Sequence, residues 1–217
     1  MGSKVTLPEI KDDLYFDGYP RSGNTYFIGL IKRMYPDIKY SSHLHTISGI
    51  KIAFKRNISV VIIIRNPEDA IVSNMFRVIN SKGKKANQEL ADDLTRRYID
   101  YYSFVLTNRK RLRVLNFNEL IEKEQILMNI LSETIGVKKY TDESFELLLK
   151  ENDEIMKNME KNKDDNVSSM PNKRRKAFKR ENLELVQFSK HYSEANLIYN
   201  KLTRRLYETP GNSHPVP

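Results

Sequence analysis

Two glycines, Gly18 and Gly23, stand five residues apart in a turn between a strand-like and a helix-like apolar segment. Backbone N–H groups in such a turn, together with the positive end of the following helix, bind a phosphate group without a charged side chain. With Thr25, the spacing matches the nucleotide-binding pattern G-x-x-x-x-G-K-[ST], except that Asn24 replaces the lysine. A nucleoside-triphosphate enzyme uses that lysine on the β- and γ-phosphates, whereas the nearby cation here is Arg21. The turn therefore favours a donor other than a plain triphosphate.

A second candidate anion site follows residues 60–64, a run of β-branched side chains that predicts a strand buried on both faces of a parallel sheet. Arg65 and Ser73 stand eight residues apart, on either side of a turn into a predicted helix with Pro67 in its first turn. Both side chains can therefore converge on one phosphate near the helix start. Asp69 lies between them, and we expect a structural role for it because a carboxylate beside phosphates repels them.

Both segments resemble motifs of one enzyme family. Residues 19–26 (YPRSGNTY) resemble the 5′-phosphosulfate loop of sulfotransferases, P-[KR]-S-G-x-T-[WY], and residues 65–73 (RNPEDAIVS) resemble their 3′-phosphate segment, R-[ND]-P-x-D-x-x-x-S. The two motifs occur in the family's order. The resemblance implies transfer of a sulfuryl group from 3′-phosphoadenosine 5′-phosphosulfate (PAPS) to a hydroxyl or amine, which leaves 3′,5′-adenosine bisphosphate (PAP), with no metal ion.

The resemblance also implies roles for the residues of both motifs. Arg21 would act on the bridging and sulfate oxygens, and Arg65 and Ser73 would hold the 3′-phosphate. The 5′-phosphate would be held by Ser22, Gly23, Asn24 and Thr25. Tyr26 takes the place of the aromatic residue that stacks on adenine, with packing into the core as the alternative.

The candidate general base is His43. Residues 41–44 (SSHL) resemble the family's K-T-H-[LF] segment, whose histidine deprotonates the acceptor in many members, although Ser41 replaces the lysine. Histidine suits this task because its pKa lies near working pH. His45 and an unidentified carboxylate stay open as alternatives.

Two later segments resemble further parts of the donor site. Residues 172–178 (NKRRKAF) take the place of the family's R-K-G loop, which closes on the 3′-phosphate, although no glycine follows. The candidates there are Arg174, Arg175 and Lys176, with a solvated charge run as the alternative. Ser144 and Phe145 resemble a helix start that lies near adenine in the family.

The periodicity predicts strands alternating with helices, and therefore a three-layer α/β/α fold with a central parallel sheet that binds ligands at the carboxyl ends of its strands. This is the P-loop-like fold that the resemblance implies. Strands are predicted at 14–17, 38–45, 60–64 and 113–117, and helices at 24–34, 47–54, from 67 onwards, and at 87–109, 119–135, 144–159 and 183–206. We expect one domain over residues 1–217, with loose tails at 1–11 and 208–217 and a mobile loop at 161–176.

Composition bounds the function further. The chain has 217 residues and a formal net charge of +9, which favours anionic ligands. It contains no cysteine, so it has neither disulfides nor cysteine-ligated metals, which is consistent with a reducing compartment. The first residues carry no apolar leader and no segment approaches a membrane span. We therefore expect a cytoplasmic protein, although Golgi-type sulfotransferases carry an N-terminal anchor.

Two other functional classes stay open at this stage. A P-loop kinase acting on a small molecule needs a lysine after Gly23 and an acidic metal ligand after a core strand, where Asn24 and Arg65 stand instead. A non-catalytic polyanion-binding module is suggested by the net charge and by the basic residues 173–180. We expect a small-molecule or glycan acceptor and neither nucleic acid nor membrane as a partner. The sequence carries no signature for the acceptor or for the oligomeric state.

Overall fold

The computed structural model describes residues 7–83, 85–122, 125–137, 141–161 and 173–204. Within these residues, four parallel strands form one sheet in the order β2-β1-β3-β4. The strands are β1 (Leu14–Gly18), β2 (Tyr40–Ser42), β3 (Ser59–Ile64) and β4 (Arg113–Asn116). Helices cover both faces of the sheet, so the predicted three-layer α/β/α fold is confirmed.

The helices of the described residues follow the strands along the chain. They are α1 (Asn24–Met34), α2 (Ile47–Lys55), α3 (Pro67–Lys82), α4 (Gln88–Thr107), α5 (Phe117–Glu122), α6 (Gln125–Ile135), α7 (Asp142–Lys161), α8 (Lys173–Gln187) and α9 (Tyr192–Arg204). A short 3₁₀ turn, Arg109–Arg111, precedes β4.

The strands separate the interior into two cores because successive side chains point to opposite faces of a sheet. Tyr15 and Ile62 lie in the core formed with α2, α3, α4, α8 and α9. Phe16 and Ile63 lie in the other core, formed with α1, α6 and α7. The residues of β3 from 60 to 64 are all buried, as their continuous apolar run predicts.

One helix ends earlier than the sequence predicts. The predicted helix 183–206 is two helices, because the chain turns between α8 and α9, where Ser189 accepts hydrogen bonds from the amides of His191 and Tyr192. Phe188, which directly follows α8 at this turn, is 76% exposed. The predicted helix 119–135 is α5 followed by α6, with residues 123 and 124 outside the described part.

The predicted mobile loop 161–176 needs a correction at both ends. Lys161 ends α7, and residues 173–176 form the first turn of α8 rather than part of a loop. The intervening residues 162–172, the predicted tail 208–217 and residues 1–6 lie outside the described residues.

Tyr102 of α4 joins the helix layer to the carboxyl edge of the sheet. Its buried hydroxyl donates to the carbonyl of Ile63 at 2.8 Å and accepts from the backbone N–H of Tyr19 at 3.2 Å. The Ser22 hydroxyl lies 3.3 Å away. One side chain thus fixes the end of β3 against the turn that follows β1. The adjacent Tyr101 hydroxyl is also buried but has no hydrogen-bond partner among the described residues.

Tyr102→Phe should lower the free energy of unfolding by about 1–3 kcal/mol, because it leaves a buried amide and a buried carbonyl without their partner. Tyr101→Phe is the matched control and should not lower stability, since it removes a buried hydroxyl that has no hydrogen-bond partner among the residues that the structure describes. Urea denaturation of both variants measures the difference. Equal losses in the two variants would contradict the assigned role of Tyr102.

Candidate functional site

Both predicted anion loops lie at the carboxyl edge of the sheet. The parallel pairing of β1 with β3 places Gly18 opposite Ile63, so the chain leaves both strands at the same edge. A cavity of about 660 Å³ lies there, lined by the turn after β1, the first turns of α3 and α8, and the loop after β2. This is the position that an open parallel sheet offers to a ligand.

The turn after β1 is shaped by Gly23, which adopts φ 94° as the N-cap of α1. A Cβ at this position would lie 2.6 Å from the ring of Phe117, so only glycine fits. Among the described residues, Tyr26 and Phe27 are the first α1 amides that bond back, and both donate to the carbonyl of Gly23. The N-terminal amides before them form the positive end of the helix. Such a group of amides can bind an anion.

The predicted residues of this turn divide into two groups. Gly23, Asn24 and Thr25 line the cavity. Ser22 does not, because its side chain is fully buried against Tyr102 and its amide donates to the carbonyl of Tyr19. The hydroxyl of Ser22 therefore holds the turn in place.

Two guanidinium groups contact Ser73 near the start of α3, and a third, that of Arg65, contacts the backbone of Arg21. The Ser73 hydroxyl oxygen lies 3.2 Å from Nε of Arg21 and 3.4 Å from Nη1 of Arg175. Arg65 donates from Nη1 to the carbonyl of Arg21 at 3.0 Å. The structure thus brings Arg21 of the first motif close to Arg65 and Ser73 of the second motif and to Arg175 of α8. Such a concentration of positive charge attracts a multiply charged anion.

Arg65 is held by its surroundings. Its guanidinium lies 4.6 Å from the ring centroid of Phe117, and its Nη2 lies 3.9 Å from Oδ2 of Asp69. Burial lowers the pKa of Arg65, and the nearby Asp69 opposes that effect. Asp69 also pairs with Lys179 of α8. The carboxylate therefore connects the first turn of α3 to α8. Asp69 also lines the cavity, so it places a negative charge there.

The remaining predicted donor residues lie in different places. Tyr26 lines the cavity, and its hydroxyl donates to Asp153 of α7 at 3.0 Å. Lys176 also lines it. Arg174 is not among the residues that line the cavity; its Nη2 lies 3.5 Å from Oδ1 of Asn80, and its guanidinium lies 5.8 Å from the ring centroid of Phe76.

Phe145 is not among the residues that line the cavity. It is 2% exposed and packs in the core formed with α1 and α6, because the first turn of α7 directs it inward. The expected contact between Phe145 and adenine therefore does not fit this placement.

Both predicted histidines line the cavity, and their ring centroids lie 5.7 Å apart. Nδ1 of His43 lies 2.7 Å from the Ser42 hydroxyl, and its Nε2 lies 3.3 Å from the Thr25 hydroxyl. Burial and, to a smaller extent, the neighbouring His45 lower the pKa of His43 to about 4. His43 is therefore neutral at physiological pH.

Several lining residues were missed in the sequence. Arg77 follows Ser73 by one helical turn on α3, so helical spacing could have found it. Phe178 and Lys179 lie one turn after Arg175 on α8 and also line the cavity. Because a loop was predicted over residues 161–176, the helical spacing of Arg175, Phe178 and Lys179 was not recognised.

The described residues contain no group of three or more His, Cys, Asp or Glu side chains placed to hold a metal ion. None of the helices in that part of the chain is long and apolar enough to cross a membrane.

The fold is similar to that of a solved structure, although no sequence comparison finds a match. The chain matches no protein-family model and no curated protein sequence. Its structure is similar to that of mouse sulfotransferase SULT7A1 complexed with PAP, with a TM-score of 0.62 and 13% sequence identity, over 91% of this chain and 86% of the mouse chain. The chain therefore has a sulfotransferase fold.

The pKa of His43 predicts a pH dependence of stability. An unfolded chain takes up the histidine proton near pH 6.5, whereas folded His43 does so near 4. Because the unfolded state binds more protons between these values, the free energy of unfolding should fall as the pH decreases through this window, by at most about 3 kcal/mol. Asp17 also contributes to the pH dependence of stability. Because its pKa is lowered, that contribution is lost at a lower pH.

Urea denaturation at several pH values between 6.5 and 4 measures this dependence. It should be weaker in His43→Asn and unchanged in His191→Asn, which alters a histidine outside the cavity. An NMR titration in which the His43 ring protonates near pH 6.5 would contradict the prediction.

Proposed function

We propose that this protein is a PAPS-dependent sulfotransferase that transfers a sulfuryl group to a hydroxyl or amine of a small-molecule or glycan acceptor. The observation that carries the proposal is the contact of Arg21 and Arg175 with Ser73, with Arg65 bonded to the Arg21 carbonyl, beside a helix N-terminus that lacks the lysine of triphosphate enzymes. A donor with two separate phosphate groups fits these two neighbouring anion sites.

The residues of the cavity suit such a donor. The turn capped by Gly23 presents helix-terminal amides to one phosphate, and Ser73 with its arginines presents hydroxyl and guanidinium groups to the other. Tyr26 and Met156 line the cavity and offer an aromatic face and an apolar side chain to a base. Similarity to a sulfotransferase whose structure contains PAP supports this choice of ligand.

In this proposal, the donor supplies the sulfuryl group and the protein supplies position and charge. Arg21 belongs to the turn after β1 and its Nε contacts Ser73, and we assign to its guanidinium the stabilisation of negative charge on the leaving phosphate oxygen. Arg65 and Ser73 hold the 3′-phosphate, and Arg175 and Lys176 of α8 close over it. His43 and His45 line the cavity as candidate proton acceptors, with His43 as the sequence assignment.

The proposal extends to the remaining expectations from the sequence. It takes the chain as one catalytic domain, without a metal ion, acting in the cytoplasm as its cysteine-free composition suggests. The two missing features of a kinase, the P-loop lysine and an acidic metal ligand after β3, support a sulfuryl donor over a nucleoside triphosphate.

PAP should stabilise the protein, and ATP with Mg²⁺ should not do so comparably. A ligand at a hundred times its dissociation constant stabilises the folded state by about 2.7 kcal/mol, which is a readable rise in melting temperature. Differential scanning fluorimetry with each ligand measures the effect. An equal or larger shift with ATP and Mg²⁺ would favour the kinase alternative, and no shift with either nucleotide would favour the polyanion-binding alternative.

Ser73→Ala and Arg65→Ala should weaken binding of PAP by about 1.5–3 kcal/mol, the usual value of a charge-assisted hydrogen bond, while binding of AMP changes little. AMP differs from PAP only in lacking the 3′-phosphate, so isothermal titration with both nucleotides isolates that contact. Arg97→Ala controls for the loss of one positive charge, since Arg97 is paired with Asp93 outside the cavity. Equal losses for the two nucleotides would show that the second motif does not hold the 3′-phosphate.

A further inference from the structure

Asp17 carries a fully buried carboxylate at the end of β1, directly behind the cavity. Its Oδ2 accepts from the Tyr15 hydroxyl at 2.6 Å and from the backbone N–H of His45 at 2.8 Å, and its Oδ1 accepts from the backbone N–H of Gly18 at 2.9 Å. Burial by itself raises the pKa of Asp17, but the contacts with His45, Tyr15 and Gly18 outweigh it and hold the pKa below its usual value. The group is therefore a carboxylate at neutral pH.

The carboxylate fixes the tautomer of His45. Nδ1 of the His45 ring lies 3.0 Å from Oδ1 of Asp17 and 2.7 Å from the carbonyl oxygen of Gly18. Both of these oxygens only accept hydrogen bonds, so Nδ1 must carry the proton. In the neutral ring the lone pair then lies on Nε2. Since His45 lines the cavity, Nε2 is the ring nitrogen left for a ligand there.

The neighbouring elements hold this pair in place. Tyr15 precedes Asp17 by two residues on β1, so both side chains point to the same face of the sheet. A Cβ at Gly49 of α2 would lie 2.2 Å from the Tyr15 hydroxyl oxygen, so the close approach of α2 requires glycine there. His45 adopts φ 51°, in the left-handed region, as His43 does with φ 63°.

The contacts of His43 do not fix its tautomer, in contrast to those of His45. Its two ring nitrogens lie beside the hydroxyls of Ser42 and Thr25, and each hydroxyl can donate or accept, so neither contact fixes a tautomer. The Nε2 atom of His43 is already engaged by Thr25, whereas Nε2 of His45 has no hydrogen-bond partner in the described part of the chain. A carboxylate behind a histidine is also the usual arrangement that orients an imidazole as a base.

We propose that His45, oriented by Asp17, takes the proton from the acceptor hydroxyl, and that His43 lines the acceptor side of the cavity as a neutral neighbour. This inference rests on the proposed sulfuryl transfer. It reverses the order of preference that the K-T-H-[LF] resemblance gives to the two histidines. Asp17 and Tyr15 are positioning residues, because they reach the acceptor only through His45.

The proposed step transfers a proton to His45 and the sulfuryl group to the acceptor. Nε2 of His45 accepts the hydroxyl proton while the acceptor oxygen forms a bond to the sulfur atom. The bond from sulfur to the bridging phosphate oxygen breaks, and its electron pair stays on that oxygen, which becomes part of the 5′-phosphate of PAP. The resulting imidazolium of His45 is compensated by the Asp17 carboxylate, and its proton then passes to solvent. The products are a sulfate ester, PAP and one proton.

The experiment compares His45→Asn with the matched variant His43→Asn. Asparagine tolerates the positive φ found at both positions, which favours folding of both variants. The reaction is the hydrolysis of PAPS in the absence of an added acceptor, in which water takes the acceptor's place and PAP release is measured. We expect His45→Asn to lower the rate about 100-fold or more and His43→Asn to lower it less than about tenfold, with PAP affinity unchanged in both.

A second measurement does not depend on turnover. In ¹⁵N NMR spectra of the PAP complex, His45 should appear as the Nδ1–H tautomer in the wild-type protein, and Asp17→Asn should lower the population of this tautomer, although the Gly18 carbonyl still accepts from Nδ1. A purely structural role of Asp17 would leave the tautomer unchanged. Should His45 carry its proton on Nε2 in the wild-type complex, or should His43→Asn lose as much activity as His45→Asn, the inference is wrong.

The two proposals fail in different ways. Absence of PAP binding by the wild-type protein would overturn the proposed function, and with it the inference. PAP binding together with an Nε2–H tautomer at His45 would overturn only the inference.

Discussion

The parallel pairing of β1 with β3 determines how the site is assembled. Because Gly18 pairs with Ile63, the turn that follows β1 and the segment that follows β3 begin side by side. Arg21 can therefore reach Ser73, although 52 residues separate them in the chain. A slip of β1 by one residue would turn Tyr15 and Asp17 toward α1 and α7, and would separate Asp17 from the histidine loop. The register of two central strands thus sets the distances between the charged groups of the cavity.

The arginines around Ser73 impose an electrostatic cost on the ligand-free protein. Like charges at this separation repel each other, and Asp69 supplies negative charge that offsets part of the repulsion. Asp69 also pairs with Lys179, so the same carboxylate connects α3 to α8. A bound anion would relieve the repulsion further.

Local patterns in the sequence predicted most of the fold and only part of the site. The β-branched run of β3 and the start of α1 after Gly23 depend on short-range preferences, and both were predicted correctly. The break between α8 and α9 depends on hydrogen bonds to Ser189, which helical periodicity does not reveal. The burial of Phe145 depends on how α7 packs against α1, a contact between segments distant in sequence. The partnership of Asp17 with His45 is likewise a tertiary contact across two strands.

The buried carboxylate of Asp17 has a consequence for the order in which the chain folds. An ionised group inside a core is tolerated only when hydrogen bonds replace its water, and here they come from β1 itself and from His45 in the loop after β2. The first two strands and that loop must therefore become ordered together. We expect the amides of residues 15–18 and 43–46 to exchange with deuterium as one cooperative unit, in contrast to the independent opening that is usual for surface loops.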